Sequence, residues 1–137
     1  MRVFFDSSAF AKRYVHEAGT DAVLDWCDRA TELALAGIAL PEMVSAFCRL
    51  KCENRIDERQ YRQIKAALFS DIEDVAICDL TAEVIRCAVE SLEANVLRGM
   101  DAIHVGCAIA WKPDVFISAD RRQCEAAKKA GLRVEVL

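Results

Sequence analysis

The sequence lacks the surplus of positive charge that would by itself predict a nucleic-acid-binding surface. Eighteen lysines and arginines stand against 22 aspartates and glutamates, a net charge of −4 over 137 residues. Without a basic excess there is no general electrostatic attraction to a polyanion. A nucleic-acid substrate would have to be met by local basic residues or by bound cations. No apolar run approaches the length of a membrane span. The first residues lack the apolar core of a secretory signal, and Asp6 comes early. These absences predict a cytoplasmic chain without membrane contact, its thiols reduced. The seven cysteines include no Cys and His pairs at zinc spacing; Cys48 and Cys52 are four apart with no second pair nearby. They read as small buried hydrophobes. No repeat, linker or low-complexity stretch interrupts the chain, and its length suits one domain, residues 1–137.

What is present is apolar: 54% of residues, enough for a core that needs no disulfide or metal. Five short apolar runs read as strands: Val3–Phe5, Leu33–Ala36 with Ile38, Val75–Cys78, Val115–Ser118 and Val134–Val136. Helical patterns lie between them. The first two are Ala9–Val15 and Asp21–Ala30, the latter with Val23, Leu24, Trp26 and Cys27 on one side. The next begins with Pro41 at its first position and runs through Lys51 to an end near Asn54. Asp57 caps another, and Thr81 one that turns Val84, Cys87, Ala88, Ser91 and Leu92 inward. Asp101–Trp111 is apolar almost all round and should be buried, and Arg121–Ala130 is closed by Gly131. Strands alternating with helices predict a parallel sheet covered on both faces.

The stretch Arg2–Phe10 organises the rest. Its apolar run stops at Asp6, and Ser7 or Ser8 is expected to cap the next helix while Asp6 points out of the turn. In open α/β sheets ligands bind at the carboxyl ends of the strands. Right-handed crossovers bring every returning helix N-terminus to that edge. Asp6 follows the first strand, Glu42 falls in the first turn after the second, Asp101 opens the helix before the fourth, and Asp120 follows the fourth. Taken singly, each is as well explained as a helix cap, as are Asp21, Asp57, Asp79 and Glu83. Taken together, four carboxylates on one edge repel one another. Hard divalent cations such as Mg²⁺ or Mn²⁺ relieve that repulsion. Such a site can activate water for displacement at a phosphodiester.

Asp6-Ser7-Ser8-Ala9-Phe10, Pro41-Glu42, Asp101-Ala102-Ile103-His104 and Ser118-Ala119-Asp120 resemble, as an ordered set, the motifs of PIN-domain ribonucleases, most closely the VapC-type toxins of toxin–antitoxin pairs. The resemblance spans essentially the whole chain. It implies a three-layer α/β/α fold with a five-stranded parallel sheet in the order 3-2-1-4-5. It also implies a Mg²⁺- or Mn²⁺-dependent endoribonuclease, restrained by a cognate antitoxin and forming a homodimer. Carried over by position, Asp6, Glu42, Asp101 and Asp120 are the catalytic and metal-binding acids, supported by Ser8 and Ser118. His104 falls where such proteins often have histidine; a core or supporting role is expected before that of general base. Arg13, Arg98, Arg121 and Arg122 are the nearest basic candidates for RNA. Phe10, Tyr14 and Trp26 are expected as exposed apolar groups of a partner groove. Ser7 and Ser8 lack an evident activating base, so water activated by the metal is expected to attack the RNA phosphate.

Two other functions compete. One is a receiver-like phosphoacceptor module with Asp79 as acceptor, although that reading wants paired acids after the first strand where this chain has Asp6-Ser7. The other is a non-catalytic PIN-like scaffold, which four intact acids disfavour.

Overall fold

Val3, Phe4 and Phe5 are all fully buried, so strand β1 (Arg2–Phe5) has no solvent face. A strand apolar on both sides belongs inside a parallel sheet covered by helices. In the computed structural model, which describes residues 1–137, β1 lies between β2 (Glu32–Ala36) and β4 (Val115–Ser118). β3 (Ala76–Cys78) and β5 (Val134–Val136) form the edges, all pairs are parallel, and the order is 3-2-1-4-5. Receiver-type sheets instead run 2-1-3-4-5. Asp79 here follows edge strand β3 and is exposed, so the sheet gives the phosphoacceptor reading no support.

Alternation along the strands sends Val3 and Phe5 to one face and Phe4 to the other. The first face is covered by α1 (Ser7–Phe10), α2 (Thr20–Arg29), α3 (Ala39–Cys52) and α4 (Glu58–Asp71). Phe10, Trp26, Met43, Phe47 and Leu68 pack there against Leu35 and Ile117. The second face is covered by α5 (Ala82–Ala94), α6 (Gly99–Trp111) and α7 (Arg121–Lys129), whose Val84, Val105, Ala108 and Ala126 surround Phe4, Ala34 and Phe116. Each such large side chain removed from water contributes about 1.5–3 kcal/mol, so the layers are held by area rather than by any one contact. No helix is long and apolar enough to cross a membrane.

Several local expectations are met. Asp57 caps α4 in a reciprocal box with Gln60, Thr81 accepts from the Val84 N–H, and Gly131 closes α7 with φ +91°. α6 is buried through Ala102, His104, Val105, Gly106, Cys107 and Ala108. Others need correction. α3 begins two residues early, at Ala39, so Pro41 is its third residue; the missing N–H is still one of the four without a helical partner. The first helix is a single turn, Ser7–Phe10, followed by a 3₁₀ turn over Ala11–Arg13, not Ala9–Val15.

The proposed partner groove is not there. Phe10 and Trp26 are 1% and 6% exposed, inside the first core, and Tyr14 packs edge-on against Phe10 and Phe47. The Tyr14 hydroxyl donates to Asp71 (2.7 Å), which also accepts from Arg13 Nε (2.9 Å). Leu92, expected to face inward, is exposed, and so is Leu24, which the spacing places on one side of its helix with Val23 and Trp26. Helical spacing places a residue on a stripe, but the width of the covering layer decides how much of that stripe is buried.

α5 and α6 approach so closely that a Cβ on Gly106 would lie 2.8 Å from the Val84 carbonyl oxygen and 3.0 Å from the Ala88 nitrogen. Both are backbone atoms, so the helices themselves must part. Gly106→Val is expected to cost about 2 kcal/mol or more by overpacking. Gly106→Ala should cost less, since alanine regains about 1 kcal/mol of helix propensity over glycine. Thermal melts of both variants check this; a wild-type midpoint for the valine variant would contradict the close approach.

Candidate active site

β1 and β4 are neighbours with Phe5 opposite Ile117, and the Asp6 N–H donates to the Ile117 carbonyl (3.2 Å). The residues that follow the two strands, Asp6 and Asp120, therefore flank the point where successive connections diverge, which is where open sheets form a crevice. Glu42 lies in the first turn of α3 and Asp101 in the first turn of α6.

Asp6 is fully buried and is itself the cap of α1, accepting from the Ala9 N–H at 3.0 Å. The serines do not cap. Ser8 Oγ instead lies 2.9 and 2.7 Å from the two Asp6 carboxylate oxygens and accepts from the Ala119 N–H at 3.4 Å. It thus ties the β1 turn to the β4 turn. Burial drives the Asp6 carboxyl above its ordinary range, and the bonds from Ser8 and Ala9, the charge of His104 and the Ser118 hydroxyl offset only part of that. Asp6 is an anion position served only by neutral hydrogen-bond donors.

Glu42 accepts from His104 Nε2 (2.5 Å) and from Ser7 Oγ (3.2 Å). Burial works upward on its carboxyl and is the largest single influence, but the bond to His104, the His104 charge and the Ser7 hydroxyl together outweigh it, and the result lies below the ordinary glutamate range. His104 is fully buried, and its Nδ1 has no partner. Serine, histidine and carboxylate in contact suggest a nucleophilic triad, yet a triad needs the two ring nitrogens to face opposite partners. Here Ser7, at 3.5 Å, and Glu42 both meet Nε2, so the histidine does not link carboxylate to hydroxyl. It supports Glu42 instead.

Asp120 caps α7, accepting from the N–H groups of Arg122 (2.9 Å) and Gln123 (3.4 Å), while its own N–H donates to Ser118 Oγ (2.9 Å). Asp101 accepts from Gln123 Nε2 at 3.1 Å. Sequence reasoning did not find Gln123. The only signal is the spacing Asp120-x-x-Gln123, which reads as an ordinary capping box.

Glu42, Asp101 and Asp120 line one open cavity of about 880 Å³, together with Arg98 and Arg122. The apolar part of its lining includes Leu80, Ile85, Val89, Leu92 and Met100. Asp6 does not line it, nor does Arg121; Arg13 is bound to Asp71 and borders a separate small cavity. The four acids thus share one edge, three of them share one cleft, and two of the four arginines join them.

No three acidic, histidine or cysteine side chains stand close enough to make a ready cage for a metal. Each acid is held by its own donors: Asp6 by Ser8, Glu42 by His104 and Ser7, Asp101 by Gln123, and Asp120 by the start of α7. In chemical kind the set still suits a hard divalent cation, since every donor is a carboxylate oxygen and the buried Asp6 anion has no cationic partner at hydrogen-bond distance.

A family model described as "PIN domain" matches residues 3–129. Ribonuclease VapC49 of Mycobacterium tuberculosis is 33% identical over 141 residues, spanning 96% of this chain and 93% of that protein, and Ribonuclease VapC45 of another strain matches equally. Among solved structures, the DNA-bound VapBC of Salmonella typhimurium matches with a TM-score of 0.71 at 11% identity, covering 99% of this chain and 98% of that one. A toxin–antitoxin complex from Klebsiella pneumoniae matches with a TM-score of 0.66 at 12% identity, covering 88% of each chain. At these identities the solved structures speak for the fold alone.

Proposed function

The chain belongs to the PIN-domain family, beside the VapC ribonucleases, and from that premise we propose that it is the toxin of a toxin–antitoxin pair, an endoribonuclease that depends on Mg²⁺ or Mn²⁺. The observation that carries this reading is the gathering of Glu42, Asp101 and Asp120 in one cleft beside buried Asp6, at the β1–β4 crevice. Asp6, Glu42, Asp101 and Asp120 would hold the cation. Such an ion, when bound, makes water more acidic and offsets charge that builds on a phosphate.

The chain's own groups do the rest. Arg98 and Arg122, bordering the same cavity, meet the phosphates of RNA and supply locally the positive charge that the whole sequence lacks. Glu42, kept ionised by His104 and Ser7, accepts a hydrogen bond from water and orients it. Ser8 and Ser118 hold the two turns and their acids in place. Ser7 is engaged with Glu42 and has no base of its own, so water is the nucleophile. Water adds to phosphorus, the bond to the 3′ oxygen breaks, and the proton passes to the leaving oxygen. The products carry a 3′-hydroxyl and a 5′-phosphate, and the neighbouring 2′-hydroxyl takes no part.

The homologous ribonucleases and the toxin–antitoxin complex of the same fold support a cognate antitoxin as partner, and the family resemblance supports a homodimer; the cytoplasm, where RNA is available, is the expected location. Purified protein freed of partner should cleave RNA with Mg²⁺ or Mn²⁺ and stop in excess EDTA. End-group analysis should find 5′-phosphates. Cyclic 2′,3′-phosphate ends, or cleavage that persists in EDTA, would overturn the mechanism.

A further inference from the structure

Two stretches of the chain carry the same local pattern, an aspartate N-cap followed three residues later by glutamine. They fold differently. In Asp57-x-x-Gln60 the box closes: the Gln60 N–H donates to Asp57 Oδ1 (2.7 Å), and the Asp57 N–H donates to Gln60 Oε1 (2.8 Å). In Asp120-x-x-Gln123 only the first half forms, with the Gln123 N–H at 3.4 Å from Asp120 Oδ1. The Asp120 N–H is taken by Ser118 Oγ at 2.9 Å. The Gln123 side chain, only 3% exposed, turns away and donates from Nε2 to Asp101 Oδ1 at 3.1 Å. Its Oε1 is left buried without a donor.

That arrangement is costly for an amide. A buried acceptor without a partner is disfavoured, and a closed box would have satisfied it. We infer that Gln123 is a positioning residue for the Asp101 carboxylate, released from capping by Ser118, and that its contact to Asp101 sets how tightly the acidic site holds a divalent cation. This rests on the reading of Asp101 as a cation ligand. One amide spans the gap between α7 and α6, so the two acids on those helices are held at a common spacing.

The test uses Mn²⁺ alone, measured by electron paramagnetic resonance or calorimetry on the full chain, with RNA cleavage alongside. Gln123→Met keeps length and burial but cannot donate; Gln123→Asn keeps the amide but is too short to reach. Both are expected to weaken Mn²⁺ binding about tenfold, the usual scale for a group that orients a ligand. kcat should fall at fixed subsaturating Mn²⁺ and recover at high Mn²⁺, with KM for RNA unchanged. Gln60→Met, which breaks the matching box away from the site, should lower the melting temperature and leave Mn²⁺ affinity as in wild type. Wild-type Mn²⁺ affinity in both folded Gln123 variants would overturn the inference while leaving the functional reading intact. Failure of the wild-type chain to bind Mn²⁺ or cleave RNA would overturn both. Should Gln123→Met not fold, Gln123→Asn decides alone.

Discussion

Asp6→Asn is expected to reduce RNA cleavage by at least about 100-fold, the scale of losing a directly engaged charge, and to raise the melting temperature of the cation-free protein. The two effects have one cause. The Asp6 carboxylate is fully buried and its partners are a serine hydroxyl and a backbone N–H, neither of which carries compensating charge. Asparagine has the same shape. Its Oδ1 can accept from the Ala9 N–H, and its amide can donate to Ser8 Oγ once that hydroxyl rotates. The buried charge disappears while the hydrogen bonds remain. A gain of about 1 kcal/mol would move the midpoint by roughly 4 °C in a domain of this size.

The pH dependence gives a sharper check. The folded carboxyl lies above its ordinary value of 3.8, so the folded state binds this proton more tightly than the unfolded chain. The contribution to stability is therefore fully present below about 3.8 and is lost as pH rises through the folded value. The advantage of Asp6→Asn should grow from acid toward neutral pH and then level off. Mg²⁺ should stabilise the wild type and do little for the variant. Wild-type cleavage by the variant would sink the assignment of Asp6, and a variant less stable than wild type at neutral pH would sink the argument from burial.

Replacing His104 with leucine should move the acid limb of the pH–activity profile upward and lower activity at neutral pH by about 10-fold or more. The imidazole's polar contacts all run through Nε2, to Glu42 and at 3.5 Å to Ser7, since Nδ1 has no partner. Remove it, and burial of the Glu42 carboxyl is opposed only by Ser7. The Asp6 carboxyl moves the same way, because the His104 charge also favours its ionised form. Both acids then hold their protons to higher pH. In the wild type, Glu42 is depressed below its ordinary 4.5 and contributes stability that is present above that value and lost as pH falls through the folded one. That acid-side loss should be absent from the variant. At neutral pH the variant should be less stable than wild type, because it lacks the stabilisation that the His104 contact gives ionised Glu42, offset in part by removal of a ring with an unpaired buried nitrogen. An unshifted acid limb would show that His104 does not act through Glu42.

Much of the fold was legible because its signals are local. The strand runs Val115–Ser118 and Val134–Val136 match the structure residue for residue, and the caps at Asp57 and Thr81 are as expected. The misses lie where one residue's role depends on distant ones. Trp26 and Leu24 belong to one apolar cluster in sequence, yet one is buried and the other is not. Phe10 read as a free surface group because the α1 turn, taken alone, has nothing over it; α3 and α4 provide the cover.

The sequence by itself determined the alternation of strands and helices, and with it the edge to which the acids must come. Periodicity specifies the elements, and right-handed crossover leaves one way to connect them. Only the tertiary structure decided what each acid is bonded to. Asp57-x-x-Gln60 and Asp120-x-x-Gln123 are the same motif, and the local sequence differs at the position two residues before the cap, Arg55 in one and Ser118 in the other. The difference comes from Ser118 on β4 occupying the Asp120 N–H and from Asp101 on α6 offering Gln123 another acceptor. A hydrogen bond goes to whichever partner the packed layers bring within reach, and for the second motif the decisive acceptor lies 22 residues away along the chain.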